Sequence, residues 1–383
     1  MKERFSGILY RGYRFRKTLP PLEAAELKEA RYLSTAGGPT WGYTPDRRRT
    51  TPGMADSGPE IVPGFAISGN CAILVKMGPY EYPPADLQFG VYFKRQSPRW
   101  WQHTVRFPVA LEGMDPGTET ASGEYFQPRD ASSAPLVVLL HGVGDASLVP
   151  CRWLARSLAA RGIACVVPRQ VVHSSRLPGA GWRRMPSLSE DEWFQSYRAA
   201  VVEVRQMVDW AGIRSELDGT RVAVLGISFG GFISAITMGV DERITAAVLI
   251  VSGGNSATIG QKARARVVRR GYRVSESEYQ AAQEQYRRYL AELAENGLDG
   301  LDPPQRSYLT DPMTYAGYLA GRRLLMINAR WDEFIPREAT LDFWEACGRP
   351  EIAWLPANHT GIWLWYPLIR KKVGQFLESV FGL

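Results

Sequence analysis

The chain has 383 residues, 45% of them hydrophobic, a net charge of +7 and four widely spaced cysteines. That length suits one large domain with extensions or two domains, and the apolar fraction can fill a sizeable core. The composition argues against several classes. No apolar run nears the roughly 20 residues of a membrane span, residues 1–16 lack a signal-peptide core, no C-x-x-C pair suggests zinc or a disulfide framework, and the Arg-rich charge is spread out without a nucleic-acid signature. A soluble, cytoplasmic protein with no nucleic-acid partner is therefore expected.

Residues 1–85 are predicted as an extension, partly loop. A short helix fits 22–32, and a Gly-, Pro-, Ser- and Thr-rich loop carrying Arg47, Arg48 and Arg49 fits 36–64. Strands are predicted at 71–77, 87–94, 103–110 and 121–127, the last two opening the main sheet.

From residue 134 strands and helices alternate. The strands are 136–140, 163–168, a central one ending at Ile227, 244–251, 324–328 and Glu351–Leu355. The helices are 147–161, 189–211, 232–239 and 364–381. The helix at 189–211 opens with Ser189 and Glu192 placed as a capping box and repeats Trp193, Tyr197, Val201, Val204 and Val208 at helical spacing. Continuous apolar strands alternating with amphipathic helices imply an α/β fold, a mostly parallel sheet covered on both faces.

The alternation stops between Gly253 and Arg322. A helix is predicted at 275–296, opened by Ser275 and Glu278, stopped by Gly297, and striped with Tyr279, Ala282, Tyr286, Tyr289 and Leu293. An insertion leaving the carboxyl edge of an open α/β sheet lies beside its ligand-binding side. Residues 255–320 are thus expected to be a helical cap over a catalytic domain built from 86–254 and 321–383. An ordinary packed helix is the alternative.

Four stretches carry chemistry. Residues 222–231 pass from an apolar strand through Gly226-Ile227-Ser228-Phe229-Gly230-Gly231 into a helix, the setting a nucleophile elbow needs. A serine nucleophile needs a base and an acid to orient it. Of four histidines, His359 alone lies beyond the last strand, and Asp332 follows the strand before it, with Glu333 as rival. His141-Gly142-Val143-Gly144-Asp145 follows an apolar strand and can present backbone N–H donors to a carbonyl oxygen. The oxyanion donors are assigned to Val143 and Phe229. The loop from 170 to 186, with His173, Arg176, Trp182, Arg183 and Arg184, is expected to wall the pocket. His141, Trp182, Tyr286 and Trp363 are further substrate-contact candidates, although Trp363 and Trp365 fit packing of the last helix equally well.

These residues, from about 87 to 383, resemble an α/β-hydrolase. The second glycine after the nucleophile, Gly231, is similar to the dienelactone-hydrolase, acetyl-esterase and prolyl-oligopeptidase-like branch. Two departures stand out: Ser228 where dienelactone hydrolases use cysteine, and Val143 at the third place of the His-Gly-Gly-Gly esterase motif. The resemblance implies a serine hydrolase of small carboxylic esters with a Ser228–His359–Asp332 triad and neither metal nor organic cofactor. A peptidase, thioesterase or acyltransferase using the same triad, or a non-catalytic scaffold of this shape, remain the alternatives.

Overall fold

The computed structural model describes residues 78–83, 88–112, 118–143, 148–171, 176, 188–272, 274–298 and 301–383. The helix, loop and strand expected at 22–32, 36–64 and 71–77 lie outside them, as does Trp182.

The described residues form one sheet of nine strands: β1 (Gly90–Gln96), β2 (Trp100–Pro108), β3 (Thr120–Pro128), β4 (Ala134–Leu140), β5 (Ala164–Pro168), β6 (Leu217–Ile227), β7 (Ile244–Ile250), β8 (Arg323–Ala329) and β9 (Glu351–Leu355). Their order across the sheet is β1-β2-β3-β5-β4-β6-β7-β8-β9. The pairings β1–β2, β2–β3 and β3–β5 are antiparallel, and every pairing from β5 to β9 is parallel.

Successive residues of β4 feed opposite cores, which is why its sequence is apolar throughout. Leu136, Val138 and Leu140 pack on one face against α2 (Glu190–Ile213) and α3 (Phe229–Val240). Val137 and Leu139 pack on the other against α1 (Val149–Ala159) and α9 (Tyr366–Phe381). Helix α2 carries the capping box foreseen in the sequence, with the Ser189 side chain accepting from Glu192 N–H and the Glu192 carboxylate accepting from Ser189 N–H.

The segment after β7 contains no strand among its described residues. It holds α4 (Ser256–Lys262), α5 (Arg266–Gly271), α6 (Glu276–Asn296), a 3-10 turn (Arg306–Thr310) and α7 (Pro312–Leu319). Helix α6 also has its reciprocal Ser275–Glu278 cap. Its tyrosines mainly pack on the insertion itself: the Tyr286 ring lies 4.4 Å from Tyr308, and Tyr289 lies 5.1 Å from the same ring. The far end of the segment belongs elsewhere. Tyr315 and Leu319 of α7 are fully buried in the main core, and α7 packs so tightly on α3 that a Cβ on Gly239 would meet Tyr315 Cβ at 2.7 Å. Helix α7 therefore belongs to the helical layer of the main sheet.

One carboxylate closes the neck of the insertion. Asp311 is buried and accepts the N–H groups of Asn255 at 2.9 Å, Ser256 at 2.5 Å and Met313 at 2.9 Å. The segment thus leaves and rejoins the domain at one point. Helix α8 (Arg337–Ala346), which the sequence reading did not anticipate, joins β8 to β9.

Candidate active site

Ser228 stands between β6 and α3 at φ 54° and ψ −115°, a conformation that side chains avoid unless the surroundings impose it. The surroundings here are glycines. A Cβ on Gly226 would fall 2.0 Å from Gly230 O, and one on Gly230 would fall 2.2 Å from Leu140 O. No side chain fits at either position, so the turn is as sharp as the sequence motif requires. The Ser228 N–H donates to Ile250 O at 2.8 Å, fastening the elbow to β7.

His359 follows β9 and reaches Ser228 across the carboxyl ends of the strands. Its Nε2 lies 3.1 Å from Ser228 Oγ and its Nδ1 lies 2.8 Å from Asp332 Oδ2. An ionised carboxylate only accepts, so the ring proton sits on Nδ1, and Nε2 is left to accept the serine O–H. The other Asp332 oxygen accepts from Phe334 N–H and Ile335 N–H, both at 2.8 Å, which fixes the carboxylate plane. Both side chains are largely shielded, His359 at 12% exposure and Asp332 at 6%. The Phe334 ring covers the imidazole at 4.9 Å.

Glu333, the rival acid, does something else. Its carboxylate accepts the backbone N–H of His359 at 3.1 Å and holds the histidine loop. The acid loop is braced from two sides. Arg330 N–H and Trp331 N–H donate to Leu355 O and Ala357 O at 2.9 and 3.0 Å. From the insertion, Arg264 N–H and Ala265 N–H donate to Glu333 O, and the Arg264 guanidinium donates to Trp331 O at 3.0 Å. Arg264 escaped the sequence reading because nothing in a lone arginine 68 residues upstream marks it as a partner of this loop.

The turn after β4 meets the elbow from the other side. A Cβ placed on Gly142 would lie 3.6 Å from Ser228 Cβ, and Val143 next to it is exposed. Phe229 opens α3, so its N–H is one of the first-turn donors that have no intrahelical acceptor.

Two of the substrate-contact candidates are buried. His141 is fully buried: its Nδ1 lies 2.8 Å from Gly142 O and its Nε2 accepts Gln170 N–H at 3.3 Å. It shapes the turn from behind, helped by Gln170, whose side chain donates to His141 O at 2.7 Å. Tyr286 is buried in the insertion's own tyrosine cluster, with its hydroxyl on Thr314 Oγ1 at 2.9 Å, because the aromatic stripe seats α6 on its neighbours. Trp363 is half-buried and packs on the core face shared with α9. Among the described residues no group of three or more His, Cys, Asp or Glu could hold a metal ion, and no helix is long and apolar enough to cross a membrane.

Comparison with known proteins follows the same outline. The profile of the alpha/beta hydrolase fold family matches residues 135–360, more than half of the chain. An uncharacterized protein of Mycobacterium tuberculosis is 26% identical over 181 residues, 47% of this chain. That match spans only 37% of the relative's own length. Among solved structures, an acetyl xylan esterase from a Paenibacillus species superposes with a TM-score of 0.54 at 19% identity, covering 76% of this chain and 88% of the other. Acetyl xylan esterase 1 from a Thermoanaerobacterium species gives 0.51 at 15% identity, covering 78% and 89%.

Proposed function

Because the chain belongs to the alpha/beta hydrolase fold family, we propose that it is a serine hydrolase acting on small carboxylic esters through an acyl-enzyme. One observation carries the reading: a single imidazole bridges a strained serine at 3.1 Å and a fixed carboxylate at 2.8 Å. The esterase names of two solved structures with this fold agree with it.

In this mechanism Ser228 Oγ attacks the acyl carbon while its proton passes to His359 Nε2. Asp332 holds the tautomer and stabilises the imidazolium that forms. The N–H groups of Val143 and Phe229 receive the oxyanion, each donor being worth on the order of 10²–10³ in rate. The ester C–O bond then breaks, and His359 returns the proton to the departing alcohol oxygen. Water, deprotonated by His359, attacks the acyl-serine and releases the acid. Residues of the insertion outside α7 sit beside the mouth as a cap, anchored to the acid loop through Arg264.

A fluorophosphonate probe tests this directly. It should label the wild-type protein at Ser228, and Ser228→Ala should abolish both labelling and hydrolysis of p-nitrophenyl acetate. An unlabelled wild-type protein would mean that the geometry serves a binding scaffold instead.

A further inference from the structure

Resting on that esterase reading, we infer that Asn328 is a positioning residue for the reaction: its side-chain oxygen holds a strained turn, Val251–Ser252, that keeps Ser228 on His359. The first observation is the backbone. Val251 stands at φ 45°, a left-handed conformation that a β-branched residue takes only when its surroundings impose it. It directly follows Ile250, whose carbonyl accepts the Ser228 N–H at 2.8 Å. The strained nucleophile at φ 54° is therefore bonded to the peptide that opens a second strained residue.

That peptide, between Ile250 and Val251, is fixed on both sides, its oxygen by Ser228 and its N–H by Ile327 O at 2.8 Å. Backbone pairing of β7 with β8 ends there, at Ile250 beside Ile327. The next N–H, that of Ser252, donates to Asn328 Oδ1 at 3.0 Å. One side-chain oxygen thus continues the ladder where the strands part, and with Ile327 O it holds the angle at Val251. Without it the strain has two ways out, and both reach the nucleophile. Rotating the peptide turns Ile250 O away from the Ser228 N–H. Shifting Ser252 disturbs its close contact with Gly231, where a Cβ would meet Ser252 Oγ at 2.5 Å. The Gly231 N–H is in turn bonded to Ser228 O at 2.8 Å.

Packing alone does not call for an asparagine here. Leu324, Leu325, Met326, Ile327 and Ala329 of β8 all join the apolar cores, and Asn328 is buried in the same strand. A buried amide costs free energy unless it is bonded. This one is only half used, since its Nδ2 has no partner among the described residues. What the residue contributes is its acceptor oxygen. Asp332 lies four residues further on, so one strand end both leads to the acid and ties down the turn behind the serine.

Asn328→Ala removes the acceptor, whereas Asn328→Asp keeps an oxygen in its place and gives up only the unpaired Nδ2. On p-nitrophenyl acetate, Asn328→Ala should lower kcat, and the rate at which fluorophosphonate labels Ser228, by about thirtyfold, with KM moving less than about threefold. Asn328→Asp should stay within about threefold of the wild type in both rates. Strain supplies a third arm, because glycine takes φ 45° freely. Adding Val251→Gly to Asn328→Ala should restore kcat about fivefold, while the melting temperature falls further through the lost core side chain. Activity and stability moving in opposite directions cannot come from general loosening. Should Asn328→Ala not fold, Asn328→Ser, polar but one atom short, takes its place with the same expected losses. A folded variant without the acceptor that keeps wild-type kcat would overturn the inference and leave the esterase reading standing. So would equal losses in the Ala and Asp variants, or a double variant whose kcat falls with its melting temperature. A wild-type protein that neither labels nor hydrolyses esters would overturn the esterase reading and this inference with it.

Discussion

Asp332 and Glu333 are adjacent carboxylates with separate tasks, and the difference is one of reach. The shorter side chain meets the imidazole N–H, while the longer one meets a backbone N–H of the same loop. Asp332→Asn should therefore lower kcat by roughly 10³–10⁴, since the amide favours the wrong tautomer. Glu333→Gln keeps an acceptor oxygen for the His359 N–H and should lose less than about tenfold; steady-state kinetics on p-nitrophenyl acetate compare the two. The sequence favoured Asp332 over its neighbour from strand order and side-chain length, yet the backbone task of Glu333 was not legible. That task depends on how two loops from different strands approach each other. Gly226 was legible because its reason is local, a Cβ there meeting Gly230 O four residues on, whereas Gly230 answers to the distant β4 strand. Gly230→Ala would force a Cβ to within 2.2 Å of Leu140 O, and such an overlap should abolish soluble, folded protein, as circular dichroism of the purified variant would report.

At the level of elements, what the sequence announced best was what begins or ends with a specific side chain. Both reciprocal Ser–Glu caps were legible in the sequence and stand at the starts of α2 and α6. Helix α8 was not legible, because it is short, starts after Pro336 without a side-chain cap, and buries only Ala339, Thr340 and Phe343. The tyrosine stripe of α6 had a clear period but no address: periodicity tells which face is buried, not against what. The insertion's contact with the acid loop makes a prediction of its own. Arg264→Ala removes the exposed guanidinium that donates to Trp331 O, a solvent-screened bond worth about 0.5–1.5 kcal/mol. Catalysis should suffer more than folding, with kcat falling about tenfold, KM moving less and the melting temperature dropping only slightly. Arg264→Lys should recover part of the kcat, because one donor can still reach the carbonyl. A loss confined to the melting temperature would make the contact merely structural.

Across the whole molecule, the parallel half of the sheet was the most legible part, since strands covered on both faces are apolar at every position. The antiparallel edge was legible only in outline. There the structure depends on a buried charge that no pattern reveals. Glu124 of β3 is enclosed, and Arg152 of α1 donates to both of its oxygens at 2.8 Å while Lys94 of β1 approaches at 3.1 Å. Burial alone would push this carboxyl up, but the Arg152 hydrogen bonds and charge, with Lys94, more than offset it and hold it at about 2 instead of the usual 4.5. A depressed carboxyl stabilises the fold above its unfolded value and loses that contribution as pH falls through the folded one. About 3 kcal/mol should thus be present above pH 4.5 and disappear between 4.5 and 2. Urea denaturation of Glu124→Gln should show a deficit of that order at pH 7, closing on the wild type toward pH 2. A constant deficit at every pH would refute the electrostatic account.

The Asp311 clasp has a consequence for how such proteins diversify. With the ends of the insertion already stitched together, changing the number of residues between them adds little chain-closure entropy, because that cost grows only logarithmically with length. Outside the stretch that touches the acid loop, this part of the chain is an interchangeable module on a fixed socket. Its length can change while the strand ends beneath it stay put.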